Sequence, residues 1–248
     1  MPQIFQMPPQ LANLIAAGEV VERPGSVVKE LVENAVDAGA TSIVVEMKNG
    51  GKSYLRVTDD GCGIPSDQVE TAFLRHATSK ISNVKDLDAI GTLGFRGEAL
   101  ASIASIAQVE LITRRAEAEI GTKVVINGGE FVSQTPVAAS VGSQFLIRNI
   151  FYNTPGRRKF IDERQSQLPN MIKTEFRRIA LCHPEVAMEL MCDKSPIYTL
   201  PQSSRLERII NIIDSKNKIC VFHRKSRCIK FVFIITDFFA VNTVGFTA

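Results

Sequence analysis

The chain has 248 residues, a formal net charge of +3 and no tryptophan. That length suits one large domain, or one domain with part of another, and 45% hydrophobic with 22% charged residues excludes a disordered, collagenous or coiled-coil chain. Met1 to Gln10 has neither signal-peptide nor transit-peptide character, and the longest apolar run, Phe231 to Ile235, is too short to span a bilayer, so a soluble protein is expected.

In chain order, Leu11 to Ala17 reads as a short helix broken at Gly18. Pro24 suits the first turn of a second helix, in which Val27, Val28, Leu31, Val32, Ala35 and Val36 recur at helical spacing, with Gly39 as the stop. Ile43 to Lys48 and Ser53 to Thr58 predict two strands, joined by the hairpin signal Asn49-Gly50-Gly51. After the loop Asp59 to Gly63, Pro65 opens a predicted helix to about His76. A Gly-rich stretch, Gly91 to Gly97, leads into a small-residue helix from Glu98 to Ala107. Val109 to Thr113, Lys123 to Ile126 and Gln144 to Ile150 predict further strands, and Gln165 to Leu181 and Ser204 to Ile213 further helices. This mixture predicts an α/β (α+β) sandwich, a mostly antiparallel sheet covered by helices. From Lys216 the chain turns basic and then rich in Phe, Cys and Ile, with poor periodicity.

Cys62, Cys182, Cys192, Cys220 and Cys228 are odd in number and scattered, which favours a reduced cytosolic compartment. Cys220, His223 and Cys228 are too loosely spaced to argue for zinc.

Three segments can carry chemistry. On the helix from Pro24, Glu30, Asn34 and Asp37 lie at i, i+4 and i+7 and point the same way. An amide oxygen is a hard ligand for Mg²⁺ and a carboxylate can activate water; a solvated polar face has the same pattern. In Asp59-x-Gly61-x-Gly63 the glycines allow close approach to a flat ligand and the aspartate can accept from an exocyclic amine, though an ordinary turn uses the same residues. Gly91 to Glu98 can cradle phosphate with backbone N–H groups and Arg96, or form a surface loop, and it lacks the Gly-Lys-Ser/Thr of a Walker A loop. Separately, Arg157, Arg158, Lys159, Arg164, Lys173, Arg177 and Arg178 outnumber Asp162, Glu163 and Glu175, a cluster that can track phosphates or be a solvated helix face.

The order of these segments, with Ile15 to Pro24, Lys29-Glu-Leu-Val-Glu-Asn34, Asp37-Ala-Gly-Ala-Thr41, Asp59 to Gly63, Arg75-His-Ala-Thr-Ser-Lys80, Gly94-Phe-Arg-Gly-Glu-Ala-Leu100 and Phe151-Tyr-Asn-Thr-Pro155, closely resembles the MutL mismatch-repair family, within the ATPase superfamily of gyrase, chaperones and histidine kinases. The resemblance runs from about Gln3 to about Ile213. It implies an ATP-binding domain over 1–200, with 201–248 a remnant or divergent start of a second, ribosomal-protein-like domain. It implies Glu30 as general base, Asn34 as Mg²⁺ ligand and Asp59 as the adenine-binding aspartate, with Gly61 and Gly63 shaping the base pocket. Ala38 joins the nucleotide contacts, Lys80, Gly94, Phe95, Arg96 and Gly97 form the lid over the phosphates, and Ser143 stands near the adenine in place of the usual threonine. Arg157, Arg158, Lys159, Arg164, Arg177 and Arg178 are the expected DNA contacts. The expected cofactors are ATP and Mg²⁺. The expected partners are DNA, held through its backbone, a MutS-type mismatch recognition protein, and a second copy of this domain joined in the presence of ATP. The expected location is the cytoplasm and nucleoid in a bacterium or the nucleus in a eukaryote. Lys216 to Ala248 departs from the family pattern as a shifted or truncated reading frame would.

Overall fold

The computed structural model describes residues 17, 20–80, 93, 94 and 96–214. The chain divides into two units, Met1–Asn217 and Lys218–Ala248, and the second lies outside the described residues. So do the helix expected from Leu11, apart from Ala17, Gly91 of the Gly-rich stretch, the expected lid residue Phe95, and the tail cysteines.

Helix α1 (Pro24–Asp37) buries Val27, Val28, Leu31, Val32 and Ala35, each large side chain worth about 1.5–3 kcal/mol of transfer free energy. Pro24 opens it. At its end Gly39 N–H donates to Val36 O (2.9 Å) and Ala40 N–H to Ala35 O (3.1 Å), the two bonds of a Schellman stop. Gly39 takes φ +73° there, a conformation glycine adopts without steric cost.

Eight strands follow: β1 (Ser42–Lys48), β2 (Tyr54–Asp59), β3 (Gln108–Arg114), β4 (Gly121–Asn127), β5 (Glu130–Val137), β6 (Gly142–Arg148), β7 (Ala187–Cys192) and β8 (Ser195–Leu200). They form one sheet in the order β5-β4-β3-β6-β2-β1-β7-β8. Every neighbouring pair is antiparallel except β1 and β7, which run parallel. Further helices among the described residues are α2 (Ala99–Ile106), α3 (Pro155–Glu163), α4 (Leu168–Cys182) and α5 (Arg205–Asp214). The expected mixed sandwich is therefore present. One core unites Val27, Leu31, Ile172 and Phe176 of the helices with Val45, Leu55, Val57, Leu111 and Ile147 of the sheet, and Phe176 stacks on Tyr198 at 6.0 Å between centroids.

The helix expected from Pro65 to His76 is not formed. The segment makes turns over 66–70 and a short 3₁₀ turn, Thr71–Phe73. Val69 is the only side chain buried between 65 and 76, which leaves too little apolar face to stabilise a regular helix. Sequence patterning also passed over α3, β5, β7 and β8.

The register explains where a polar site can sit. Along β2 the buried positions are Leu55, Val57 and Asp59, and along β3 they are Val109, Leu111 and Thr113. Asp59 and Thr113 thus end core-facing rows that begin apolar. Both pair with Ser143 of β6, one on each side, so Thr113, Ser143 and Asp59 form a buried polar row one step beyond Leu111, Phe145 and Val57.

Candidate functional site

The first half of the site is this row. Asp59 is 8% exposed, Ser143 8% and Thr113 2%. Asp59 Oδ1 accepts the backbone N–H of Gly61 (2.9 Å) and of Ser143 (3.3 Å). Its Oδ2 takes no hydrogen bond among the described residues, so it is the acceptor left for a ligand. Burial pushes the Asp59 carboxyl above its ordinary value, against the two backbone donors that lower it. A charged carboxylate kept at that cost, with one oxygen fixed and one open, suits a donor such as an amino group. Thr113 Oγ1 accepts from Ile64 N–H (2.9 Å) and lies 3.0 Å from both Gly142 O and Ser143 Oγ.

The loop after Asp59 runs tightly against its surroundings. A Cβ on Gly61 would stand 2.9 Å from Ala38 Cβ. One on Gly63, at φ +69°, would stand 2.3 Å from Arg114 O, so only glycine fits at that turn. Cys62 N–H donates to Ala38 O at 3.0 Å. Ala38 N–H in turn donates to Asn34 O. The end of α1 is thereby fastened to the Asp59 loop, and Asn34 stands one turn before that joint. Asp60 faces away from the row. Burial opposes its charge, but Thr41 and Ser42 donate three bonds to it (2.5–2.8 Å) and hold its carboxyl below the usual range.

The second half lies on the polar face of α1. Lys80 Nζ donates to Asn34 Oδ1 (3.0 Å) and to Asp37 Oδ2 (2.5 Å). The N–H groups of Leu93 and Gly94 donate to Asp37 at 3.1 and 3.4 Å. Glu30 Oε1 and Glu33 Oε2 each lie 3.0 Å from Lys29 Nζ. Burial raises the Glu33 carboxyl despite that lysine, and charges on Glu30 and Asp37 add to the rise.

Of the residues singled out by sequence, Asn34, Ala38, Asp59, Gly61 and Ser143 are joined through the contacts above, and Gly63 packs on Arg114. Lys80 and Gly94 meet on Asp37. Gly97 packs against Ala77, whose carbonyl oxygen would lie 2.6 Å from an added Cβ. Glu30 sits on the same helix face, tied to Lys29. Arg96 is exposed and makes no hydrogen bond or ion pair among the described residues. Asp37 and Thr113 were not marked as site residues by the sequence. Asp37 shares the spacing of Glu30 and Asn34; Thr113 had only its place at the polar end of an alternating strand.

The basic cluster spreads over two helices. Arg157, Arg158 and Lys159 lie on α3, Arg177 and Arg178 on α4, and Arg164 follows α3. Arg164 covers the half-exposed Phe160 ring at 4.2 Å, and Arg157 stands 6.0 Å from the Phe151 ring. Arg178 pairs with Glu175 at 3.0 Å. Two cavities among the described residues lie away from α1's polar face. One, about 250 Å³, runs between Phe73, Leu74, Ala101, Ser105 and Phe131; the other, about 120 Å³, lies between Arg23, Phe160, Arg164 and Met171. Among the described residues no three His, Cys, Asp or Glu side chains cluster to hold a metal, so a cation here would rely on the Asn34 amide and on oxygens brought by a ligand.

Comparison with known proteins gives a consistent picture. Residues 22–141 match the family of histidine kinase-, DNA gyrase B-, and HSP90-like ATPases. The chain is 51% identical to the DNA mismatch repair protein MutL of Parabacteroides distasonis over 84% of its length, and 49% identical to that of Bacteroides fragilis over 86%. It spans about a third of the length of these relatives, 34% in each case. Among solved structures, the Aquifex aeolicus MutL ATPase domain complexed with ADP superposes with a TM-score of 0.66 and 30% identity, over 78% of this chain and 69% of that one. The N-terminal domain of a DNA repair protein superposes with a TM-score of 0.69 and 27% identity, over 81% and 60%.

Proposed function

The chain belongs to the MutL family of DNA mismatch repair proteins, and from that premise we propose that it binds Mg²⁺·ATP, hydrolyses it slowly, and so acts as the nucleotide-driven switch of a mismatch repair protein. The observation that carries the reading is the buried Asp59 carboxylate, one oxygen fixed by Gly61 and Ser143 and the other open, fastened through Ala38 to the helix of Glu30 and Asn34.

When bound, Mg²⁺·ATP supplies the triphosphate and the charge neutralisation that phosphoryl transfer requires. Asp59 would accept the exocyclic amine of the adenine, with Ser143, 3.0 Å from Thr113 Oγ1, paired beside it. The Asn34 amide oxygen fits the metal, since it already attracts a cation, the Lys80 ammonium. Lys80 and the Gly94 N–H offer donors to phosphate oxygens. Glu30 holds and deprotonates the attacking water, one helical turn before Asn34. Its present partner is Lys29, 3.0 Å away.

In the whole protein, ATP ordering would join two such domains and pass the signal of a MutS-type partner to repair on DNA, with Arg157, Arg158, Lys159, Arg164, Arg177 and Arg178 touching the backbone. Cytoplasm or nucleus, wherever the DNA resides, is the location this implies. The test is Glu30→Ala. ATP binding persists and single-turnover hydrolysis falls by roughly 10²–10⁴-fold. Hydrolysis at the wild-type rate refutes the assignment.

A further inference from the structure

Asp37 stands where a phosphate would have to compete with it. Its side chain is only 9% exposed and that of Lys80 18%. The carboxylate accepts an ammonium, Lys80 Nζ, and two backbone N–H groups, Leu93 and Gly94, from positions 43, 56 and 57 residues along the chain. An ammonium with the N–H groups of a Gly-rich segment is the donor set that suits phosphate oxygens, and carboxylate and phosphate make the same charge-assisted bonds to such donors.

We propose that Asp37 is a positioning residue that holds these donors together on its own carboxylate, and that the phosphates of ATP bind by displacing it. The inference rests on the ATP reading of this site and adds a competitor within it. Lys80 also donates to Asn34 Oδ1, the oxygen the metal would use, so one displacement frees both the phosphate donors and the metal ligand. Glu30 and Glu33 share the helix face with Asp37. Removing one of three carboxylates lowers the repulsion met by an incoming triphosphate.

The test compares Mg²⁺·ATP with adenosine, which carries the base and no phosphate, by calorimetric titration of wild type and Asp37→Asn. Asparagine keeps the size and weakens the hold on Lys80. Mg²⁺·ATP should bind about three- to tenfold more tightly to the variant, the effect of relieving part of a charge-assisted contact, while adenosine affinity stays unchanged. Asp37→Ser is the second variant, used if Asp37→Asn does not fold. Equal Mg²⁺·ATP binding with adenosine unchanged overturns the competition, and weaker binding overturns it too and makes Asp37 a helper of the bound nucleotide. If wild type binds neither ATP nor adenosine, the ATP reading itself fails and the inference falls with it.

Discussion

Replacing Asp59 by asparagine should separate nucleotide binding from folding. The amide has the size of the carboxylate, so its oxygen keeps the Gly61 and Ser143 N–H bonds while its nitrogen takes the place of Oδ2. An acceptor there becomes a donor and meets the amino group of the base head-on. A hydrogen bond to a charged group is worth about 1.5–3 kcal/mol, so affinity falls by roughly ten- to a hundredfold. Thermal melts read this directly. With ATP at about 100 times its Kd, wild type gains about 2.7 kcal/mol, and a hundredfold weaker variant gains about 0.4 kcal/mol. At about 2–4 °C per kcal/mol, a shift of roughly 5–10 °C shrinks to about 1 °C.

Without nucleotide the same variant should melt at or above wild type. Burial raises the Asp59 carboxyl above 3.8 in the folded chain. The unfolded chain therefore releases this proton at a lower pH than the folded one. Below the unfolded value the group costs nothing, and its penalty grows as pH climbs through the folded value, leaving the charged form a burden at neutral pH that asparagine removes. A variant that retains the full ATP shift refutes Asp59 as the base-reading group. One that melts well below wild type without nucleotide makes Asp59 a structural residue instead.

Three further outcomes are expected. Acidification should weaken ATP binding to wild type at a pH above the ordinary carboxylate range, because a protonated Asp59 has lost its charge; titrations of Asp59→Asn over the same range should lack that loss. Gly63→Ala should cost about 2–4 kcal/mol, from a left-handed φ and from a Cβ 2.3 Å from Arg114 O, and denaturant melts within about 0.5 kcal/mol of wild type would disprove the close approach. Arg158→Glu with Lys159→Glu should reduce DNA retention and flatten the slope of log affinity against log salt, by about 0.9 for each phosphate no longer neutralised, with ATP binding intact; an unaltered slope returns α3 to a solvated surface.

Physical reasons separate what the sequence disclosed from what it hid. Helix α1 was legible because its buried residues repeat at helical spacing between Pro24 and Gly39, and the β1–β2 hairpin because Asn49-Gly50-Gly51 marks it. Strand β5 was not, since it lies at the sheet's edge with hardly a buried position along it and so carries no alternation. Helix α3 buries only Ile161, too little to leave a stripe. In the site, Asp59, Asn34 and the glycines were legible by type and order. Asp37 was visible as one polar residue among several. Its role depends on Lys80 and Gly94, which only the folded chain brings to it.

The Thr113 hydroxyl settles which way the Ser143 hydroxyl points. The Gly142 carbonyl can only accept, so its contact takes the single Thr113 proton. Thr113 then receives from Ile64 N–H and from Ser143. With its proton directed inward, Ser143 has only lone pairs to offer outward, as does Asp59 Oδ2. On the proposed ATP reading, such an edge would accept the amine of adenine and would set lone pair against lone pair for the carbonyl that guanine carries at the same position, a preference resting on one proton two strands away from Asp59.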